Sequence, residues 1–458
     1  MDKLDPKTDG ASQDIVADNI DKLRELFPDA FTEGADADGP RWKVDFDALK
    51  ACLGEYVEDE RERYSFTWNG KARARRIAQT PSAGTLRPCP EESVNWDTTQ
   101  NLFIEGDNLE VLKLLQKSYH KQVKMIYIDP PYNTGGEFIY PDRFQDNLDT
   151  YLRYTGQKDE NGLKVSANSE ESGRYHTNWL NMMLPRLRLA KNLLRNDGII
   201  FISIDDHEHS NLKKLCDEIF GEENFLATIV WEKVHTRKNS SKYFSTSHDY
   251  ILTYARNKPS WDRILLPREN TNAYRNPDDD PKGPWKLDPV TAHNPYSAEY
   301  VIEKPNGARL SRPAGRYWAF SEDTWLRKVR DKEVSWGEGD AYPMIKRYLS
   351  EVQDGLVPTT FFSRKFAGDT SKAKKEIENL LGISGVFDYP KPSELLKRLV
   401  QISMRPDDIA LDFFAGSCPL AQAVISANAD DDGKRSYIGV QLPEPCEESS
   451  EAYRAGYR

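Results

Sequence analysis

Two stretches of short apolar strands alternating with amphipathic helices, held apart by the unlike segment 232–385, constrain this chain more than any other feature. In the first stretch, Asn101–Glu105 reads as a strand and Asn108–Tyr119 has the apolar spacing of a helix. Val123–Ile128 reads as a fully buried strand, Asn178–Leu194 as a long amphipathic helix closed by Gly198, and Ile199–Ile204 as a second buried strand. His209–Phe220 and Phe225–Trp231 continue as helix and strand. In the second stretch, Ser393–Ser403 is a helix, Ile409–Phe413 a buried strand, Leu420–Asn428 a helix and Tyr437–Val440 a strand. Apolar strands alternating with helices build a parallel sheet covered on both faces, so the fold class is α/β. The second stretch ends just after its second strand. It is too small to fold alone and belongs to the sheet that the first begins.

This gives four regions. Residues 1–100 form a charged preamble with helical spacing at Ile20–Phe27 and Phe46–Tyr56, a basic run (Lys71, Arg73, Arg75, Arg76) and a Pro- and Ser-containing loop. Residues 101–231 carry the first half of the sheet and 386–458 the second. Between them, 232–385 is rich in Pro, Asn, aromatic and basic residues and reads as an inserted domain.

Directly after the strand VKMIYI comes Asp129-Pro130-Pro131-Tyr132. In an open parallel sheet, ligands bind at the carboxyl ends of strands. The prolines fix φ and remove N–H donors, leaving a loop of bare acceptors. Asp129 and the Pro130 carbonyl suit an amino group with two N–H donors, and Tyr132 offers a face to a planar ring. Acceptors that hold both N–H bonds expose the nitrogen lone pair, so that positioning supplies the chemistry. A tight Pro-Pro turn capped by Asp is the bland alternative. Its place after a buried strand favours the ligand reading.

A second loop, Asp412-Phe413-Phe414-Ala415-Gly416-Ser417, ends another strand and opens a helix. Small residues allow close approach of a ligand, and the helix N-terminus favours a carboxylate such as the methionine end of S-adenosylmethionine. Gln441, ending the next strand, is placed to bond ribose hydroxyls. Alone this is a common packing turn, and its pairing with the first loop raises it.

Bulk properties narrow the class. A net charge of -11 excludes a uniformly basic surface but leaves room for local basic patches. Arg and Lys beside aromatics cluster in the middle segment: Lys233, Arg237, Lys238, Lys242, Arg256, Lys258, Arg263 and Arg268 lie among Trp231, Tyr243, Phe244, Tyr250 and Trp261. Arg309, Arg312 and Arg316 precede Tyr317 and Trp318. Such runs serve phosphate and base contacts, or are a solvated surface. The five cysteines are scattered, which suggests reduced thiols in a cytoplasmic protein and no zinc site. No apolar run suits a membrane span or a secretory signal. Asp205-Asp206 reads as a helix cap, and no metal is assigned to it. His176, Asn178 and Trp179 are either pocket-edge residues or a cap and a core tryptophan.

On these motifs the chain resembles the β-class amino-methyltransferases, and within them the modification subunit of type III restriction–modification systems. The resemblance runs from about Tyr64 to the C-terminus through IEGDNLEVL (104–112), IDPPYNTG (128–135), HTNWLNMMLPRLRLAKNLLRNDGIIFISIDD (176–206), HDYILTYARN (248–257), FDYPKPSELLKRL (387–399), DFFAGS (412–417) and VQLPEP (440–445). It implies a Rossmann-like methyltransferase fold with a circularly permuted motif order, the DPPY half preceding the cofactor half, and a target-recognition region inserted at 232–385. It implies methyl transfer from S-adenosylmethionine to N6 of a flipped-out adenine in double-stranded DNA. The alternatives are a cytosine-N4 enzyme or a catalytically weak DNA-binding subunit. Asp129, Pro130, Pro131 and Tyr132 would hold the target base. Asp107 would contact the cofactor adenine; Asp412, Phe413, Ala415 and Gly416 would line its pocket; Lys391, Pro392 and Ser393 would lie at the methionine end; and Gln441 would meet the ribose. A restriction subunit and a homodimer are the implied partners. Two departures stand out. The family's GSGTT is here Gly416-Ser417-Cys418-Pro419-Leu420, and the sequence stops at EAYRAGYR, where family members continue, so a C-terminal truncation is expected.

Overall fold

The computed structural model describes residues 12–36, 39–53, 65–134, 175–237, 239–268, 271–352, 355–443, 446 and 448–457. Lys238, Tyr64, Gly135, the 54–56 end of the helix expected from Phe46, and Glu444-Pro445 lie outside them.

The main unit comprises 1–264 and 359–458. Its sheet has eight strands: β1 (Leu102–Glu105), β2 (Val123–Ile128), β3 (Leu194–Ile204), β4 (Phe225–Glu232), β5 (His248–Ala255), β6 (Phe361–Phe362), β7 (Ile409–Asp412) and β8 (Ser436–Gln441). Their order is β6-β4-β5-β3-β2-β7-β8-β1. Only β5 runs against the rest, pairing antiparallel with both β3 and β4. The remaining pairings are parallel. The expected α/β fold with the second half of the chain completing the first half's sheet is borne out: β7 and β8, late in sequence, sit between β2 and β1.

All six residues of β2 are buried, as an apolar central strand requires. The helices α1 (Asn108–Tyr119), α2 (Tyr175–Leu193) and α3 (His209–Phe220) share one core with Ile126, Ile128, Ile200, Ile202 and Phe413. Asp107 caps α1 by accepting the Glu110 N–H at 3.0 Å, which fixes the helix start where the apolar spacing begins. Beyond β6 lie α4 (Thr370–Leu381), α5 (Ser393–Ser403) and α6 (Pro419–Asp431). The preamble holds the expected helices as Ile15–Leu26 and Phe46–Leu53, with an unexpected hairpin, Phe31–Asp36 against Gly39–Val44, between them.

The second unit is 265–358. It has its own core, with Val290, Ile302, Trp318, Trp325 and Ile345 buried together, and a three-stranded sheet built on Met344–Tyr348. The inserted segment is therefore narrower than the 232–385 expected from composition. β5 and β6 lie in the main sheet because their partners are remote: Ile202 faces Leu252, and Val230 faces Phe361. Local composition carries no record of such pairings.

Candidate active site

β2 and β7 are adjacent and parallel, with Ala410 opposite Met125 and Leu411 opposite Ile126. From β2 the chain passes outward to β3, and from β7 it passes the other way to β8. The crevice between them is the point where strand order reverses, which is where open α/β sheets bind ligands. That register brings the loops Asp129–Tyr132 and Asp412–Ser417, far apart in sequence, to one end of two neighbouring strands.

The first loop is held rigidly. Trp179, fully buried in α2, donates its indole N–H to the Pro131 carbonyl at 2.7 Å. Tyr132 donates its hydroxyl to Asp129 Oδ1 at 3.0 Å. Burial and the nearby Asp129 carboxylate push that hydroxyl well above its ordinary range, so it stays a donor. Asn133 takes a left-handed turn (φ 59°) and anchors it by donating to the buried Glu208 at 2.5 Å, which also binds His176 Nδ1 at 2.6 Å. The Pro130 carbonyl takes none of these bonds.

Lys391, on the loop before α5, reaches across to this site. Its Nζ lies 2.6 Å from both carboxylate oxygens of Asp129. The same ammonium stands 5.0 Å from the Tyr132 ring and 6.0 Å from the Trp231 ring. Trp231 is fixed by donating to the Gly368 carbonyl at 2.9 Å, and Pro392 packs so closely on Gly368 (φ 73°) that a Cβ there would lie 3.0 Å away. Ser393 starts α5, its N–H bound by Glu376 at 3.0 Å. Asp249 on β5, paired with Lys233 at 2.6 Å, borders the cluster. Burial raises its carboxyl above the ordinary value despite that lysine.

In the second loop, Ala415 N–H bonds the Val440 carbonyl at 3.1 Å and Gly416 N–H bonds Gln441 Oε1 at 2.8 Å. Gln441 thus braces the loop from the end of β8. Gly416 has φ 51°, a conformation that suits glycine. Cys418 has φ 57° and carries a Cβ into the same region, while Pro419 takes the first turn of α6, where its missing N–H costs nothing. Phe413 is buried; its carbonyl accepts from Asn108 Nδ2 at 2.7 Å.

Asp412 is 2% exposed, and Oδ1 accepts the Phe414 N–H at 3.0 Å. Burial pushes its carboxyl up to about 8, Asp129 adding to the rise and Lys391 opposing it. No cation bonds it among the described residues. A buried acid in want of a positive partner, beside a small-residue loop, fits a cationic sulfonium amino acid, so the residues present suit S-adenosylmethionine.

Asp107, expected at the cofactor adenine, is bonded within the protein. It is 7% exposed, one oxygen caps α1 and the other meets Arg186 Nη2 at 3.3 Å. Arg186, wholly buried, also donates to Asn108 Oδ1 at 2.6 Å. A chain Asp107–Arg186–Asn108–Phe413 therefore ties α1 to the second loop. Sequence reasoning missed Arg186, Asn108, Asn133 and Glu208. A capping Asp before an amphipathic helix, and an arginine inside the apolar face of α2, were the signals available. Asp205 and Asp206 bond His207 and Tyr250, and no grouping that could hold a metal occurs among the described residues. No helix among them is long and apolar enough to cross a membrane.

With this geometry in place, similarity to known proteins decides the family. A family model described as DNA methylase, covering N6 and N4 enzymes, matches residues 123–451. The chain belongs to the DNA methylase family. It is 35% identical over 417 residues to the type III restriction-modification enzyme StyLTI Mod subunit of Salmonella typhimurium, covering 89% of this chain and 63% of that protein. It is 32% identical to the EcoPI Mod subunit of Escherichia phage P1, covering 90% and 68%. The EcoP15I Mod subunit of Escherichia coli is 30% identical, with 89% and 69% covered. The resemblance to type III modification subunits is borne out. The chain spans about two thirds of the length of those relatives.

Proposed function

We propose that this chain carries the methyl-transfer site of a type III modification subunit and methylates N6 of adenine in double-stranded DNA. The observation that carries the reading is the parallel pairing of β2 with β7, which sets the acceptor loop beside the small-residue loop.

S-adenosylmethionine, when bound, supplies an electrophilic methyl on a sulfonium. The rest is done by the chain. Asp129 and the Pro130 carbonyl hold the two N–H bonds of the exocyclic amine and turn its lone pair outward. Lys391 is bonded to Asp129, so an incoming amine takes over the carboxylate from the ammonium. Tyr132, its hydroxyl tied to Asp129, presents its ring to the base. Asp412 faces the cofactor cation, and Gly416, held by Gln441, leaves room for it. Asp107 is three hydrogen bonds from the cofactor loop, through Arg186 and Asn108, and acts by fixing that loop. Extruding the base costs a few kcal/mol, met by contacts elsewhere on the duplex.

DNA contact at this end falls to residues 233–237 and 239–247, which lie between β4 and β5 on the same side as Asp129. Tyr243 and Phe244 are 81% and 93% exposed there. The unit 265–358 supplies target recognition. Its Trp318 is core and unavailable for stacking, whereas Arg309 and Arg316 are exposed or half-exposed. A restriction subunit and a second copy of the chain are the partners this reading carries.

The test is methylome sequencing with nucleoside analysis of DNA from cells expressing the protein or its Asp129→Ala variant. N6-methyladenine in one short motif, lost in the variant, supports the reading. N4-methylcytosine, or a mark that persists in the variant, overturns it.

A further inference from the structure

A cavity of about 530 Å³ lies at the other end of the sheet from the two loops, where helices Ile15–Leu26 and Lys71–Gln79 meet α1, α2 and α3. His120 precedes β2, and Arg256 follows the reversed strand β5, its N–H bonded to the Gly198 carbonyl. The cavity is therefore at the amino ends of the strands. Six residues of β2 at about 3.3 Å each put it roughly 20 Å from Asp129.

Lys22, Gln116, His120, Arg188, Lys191 and Arg256 line it. The cations are poorly compensated. Lys191 Nζ donates to the Ile219 carbonyl at 2.5 Å, and Arg256 donates to the Lys191 carbonyl. Arg188 bonds no carboxylate among the described residues. Glu218, which also lines the cavity, is bound by Lys71 and Arg75 at 2.5 Å each. Burial, with repulsion from Arg256 and Arg188, holds Lys191 below its ordinary value; burial and Arg75 do the same for Arg188, and burial alone for Arg256. Two acids also line the cavity, but Asp18 accepts from Gln13 Nε2 and Glu218 is taken up by Lys71 and Arg75; Arg188, Lys191 and Arg256, half-buried and in no ion pair among the described residues, call for an anion.

The cavity also offers a buried acceptor. Gln116 is 1% exposed; its Nε2 donates to the Leu112 and Leu189 carbonyls at 2.9 and 3.2 Å, while Oε1 has no partner. Such an oxygen calls for an N–H or O–H. We propose that this cavity is a second binding site, for a phosphate-bearing small molecule that also carries a hydrogen-bond donor, the chemistry of a nucleotide. Its volume falls in the range of small-ligand sites. The proposal stands apart from the methyl-transfer reading.

The test is calorimetric titration of the full chain with ADP and with inorganic pyrophosphate, in saturating S-adenosylhomocysteine so that the adenine cannot enter the cofactor crevice. ADP is expected to bind one-to-one and more tightly than pyrophosphate. Arg188→Met, which breaks no hydrogen bond to a carboxylate, is expected to weaken both about tenfold or more, and Arg256→Met likewise. Gln116→Met is expected to remove the advantage of ADP. Absence of saturable binding at millimolar ADP, or unchanged affinity in Arg188→Met, overturns the site. Equal affinity for the two probes overturns the donor, and displacement of ADP by a short DNA duplex assigns the cavity to backbone phosphates instead.

Discussion

Lys391 and Asp129, 262 positions apart in sequence, form a two-pronged ion pair at 2.6 Å that closes the acceptor loop on the loop preceding α5. The resemblance implies a place for Lys391 at the methionine end of the cofactor; its ammonium is bonded here to the carboxylate proposed to hold the base. On the proposed reading, base entry exchanges one nitrogen for another at the same oxygens.

Lys391→Met separates the two roles. If the ammonium positions Asp129, kcat falls about tenfold or more while cofactor Kd stays within about threefold, and Lys391→Arg recovers part of the loss. A rise in cofactor Kd with kcat unchanged would return Lys391 to the methionine end. Steady-state kinetics beside equilibrium dialysis distinguish them.

If Asp412 faces the cofactor as proposed, cofactor binding depends on pH. Its folded value of about 8 lies above an unfolded value of 3.8, so the native state keeps a proton that the unfolded state has lost. The free protein therefore loses stability as pH rises from about 4 towards 8. A cationic cofactor favours the ionised form, and its affinity rises by up to about tenfold per pH unit below 8, then levels off. Dialysis between pH 6 and 9 should show this slope, and Asp412→Asn should flatten it.

Arg186 is a structural keystone of the cofactor loop. Arg186→Met leaves Asp107 facing an apolar side chain and frees Asn108, so stability should fall by roughly 3 kcal/mol in urea unfolding. A loss under about 1 kcal/mol would show that Asp107 is satisfied by its helix cap alone.

Cys418 departs from the family's glycine at a residue with φ 57°. Holding a side chain there costs about 1 kcal/mol, so Cys418→Gly should leave Tm equal or higher and tighten cofactor binding. Cys418→Ala, which keeps the Cβ, should do neither. Thermal melts with and without cofactor compare the two.

Much of the main sheet could be read from periodicity. α1, α3 and α5 begin and end where apolar spacing and capping place them, and β2 is the continuous apolar run it promised to be. β5 and β6 were absorbed into a segment defined by composition, because strands recruited by remote partners carry a weak local signal. The two loops were legible as a pair, since the Pro-Pro turn follows a buried strand and its presence raises the small-residue loop above a common packing turn. The bonds that join them were not. Arg186 sits within an apolar helix face, and Lys391 looks like any lysine ahead of a helix, until the fold brings Asp107 and Asp129 to them.

The most direct test of a shared crevice is the single-turnover rate of methyl transfer to duplex DNA by the Asp129→Asn variant at full cofactor occupancy, measured with labelled S-adenosylmethionine. A fall of about a thousandfold or more, with cofactor Kd unchanged within about threefold, is the predicted result. Transfer at the native rate by the cofactor-loaded variant would contradict it, since Asp129 would then have no part in holding the acceptor nitrogen.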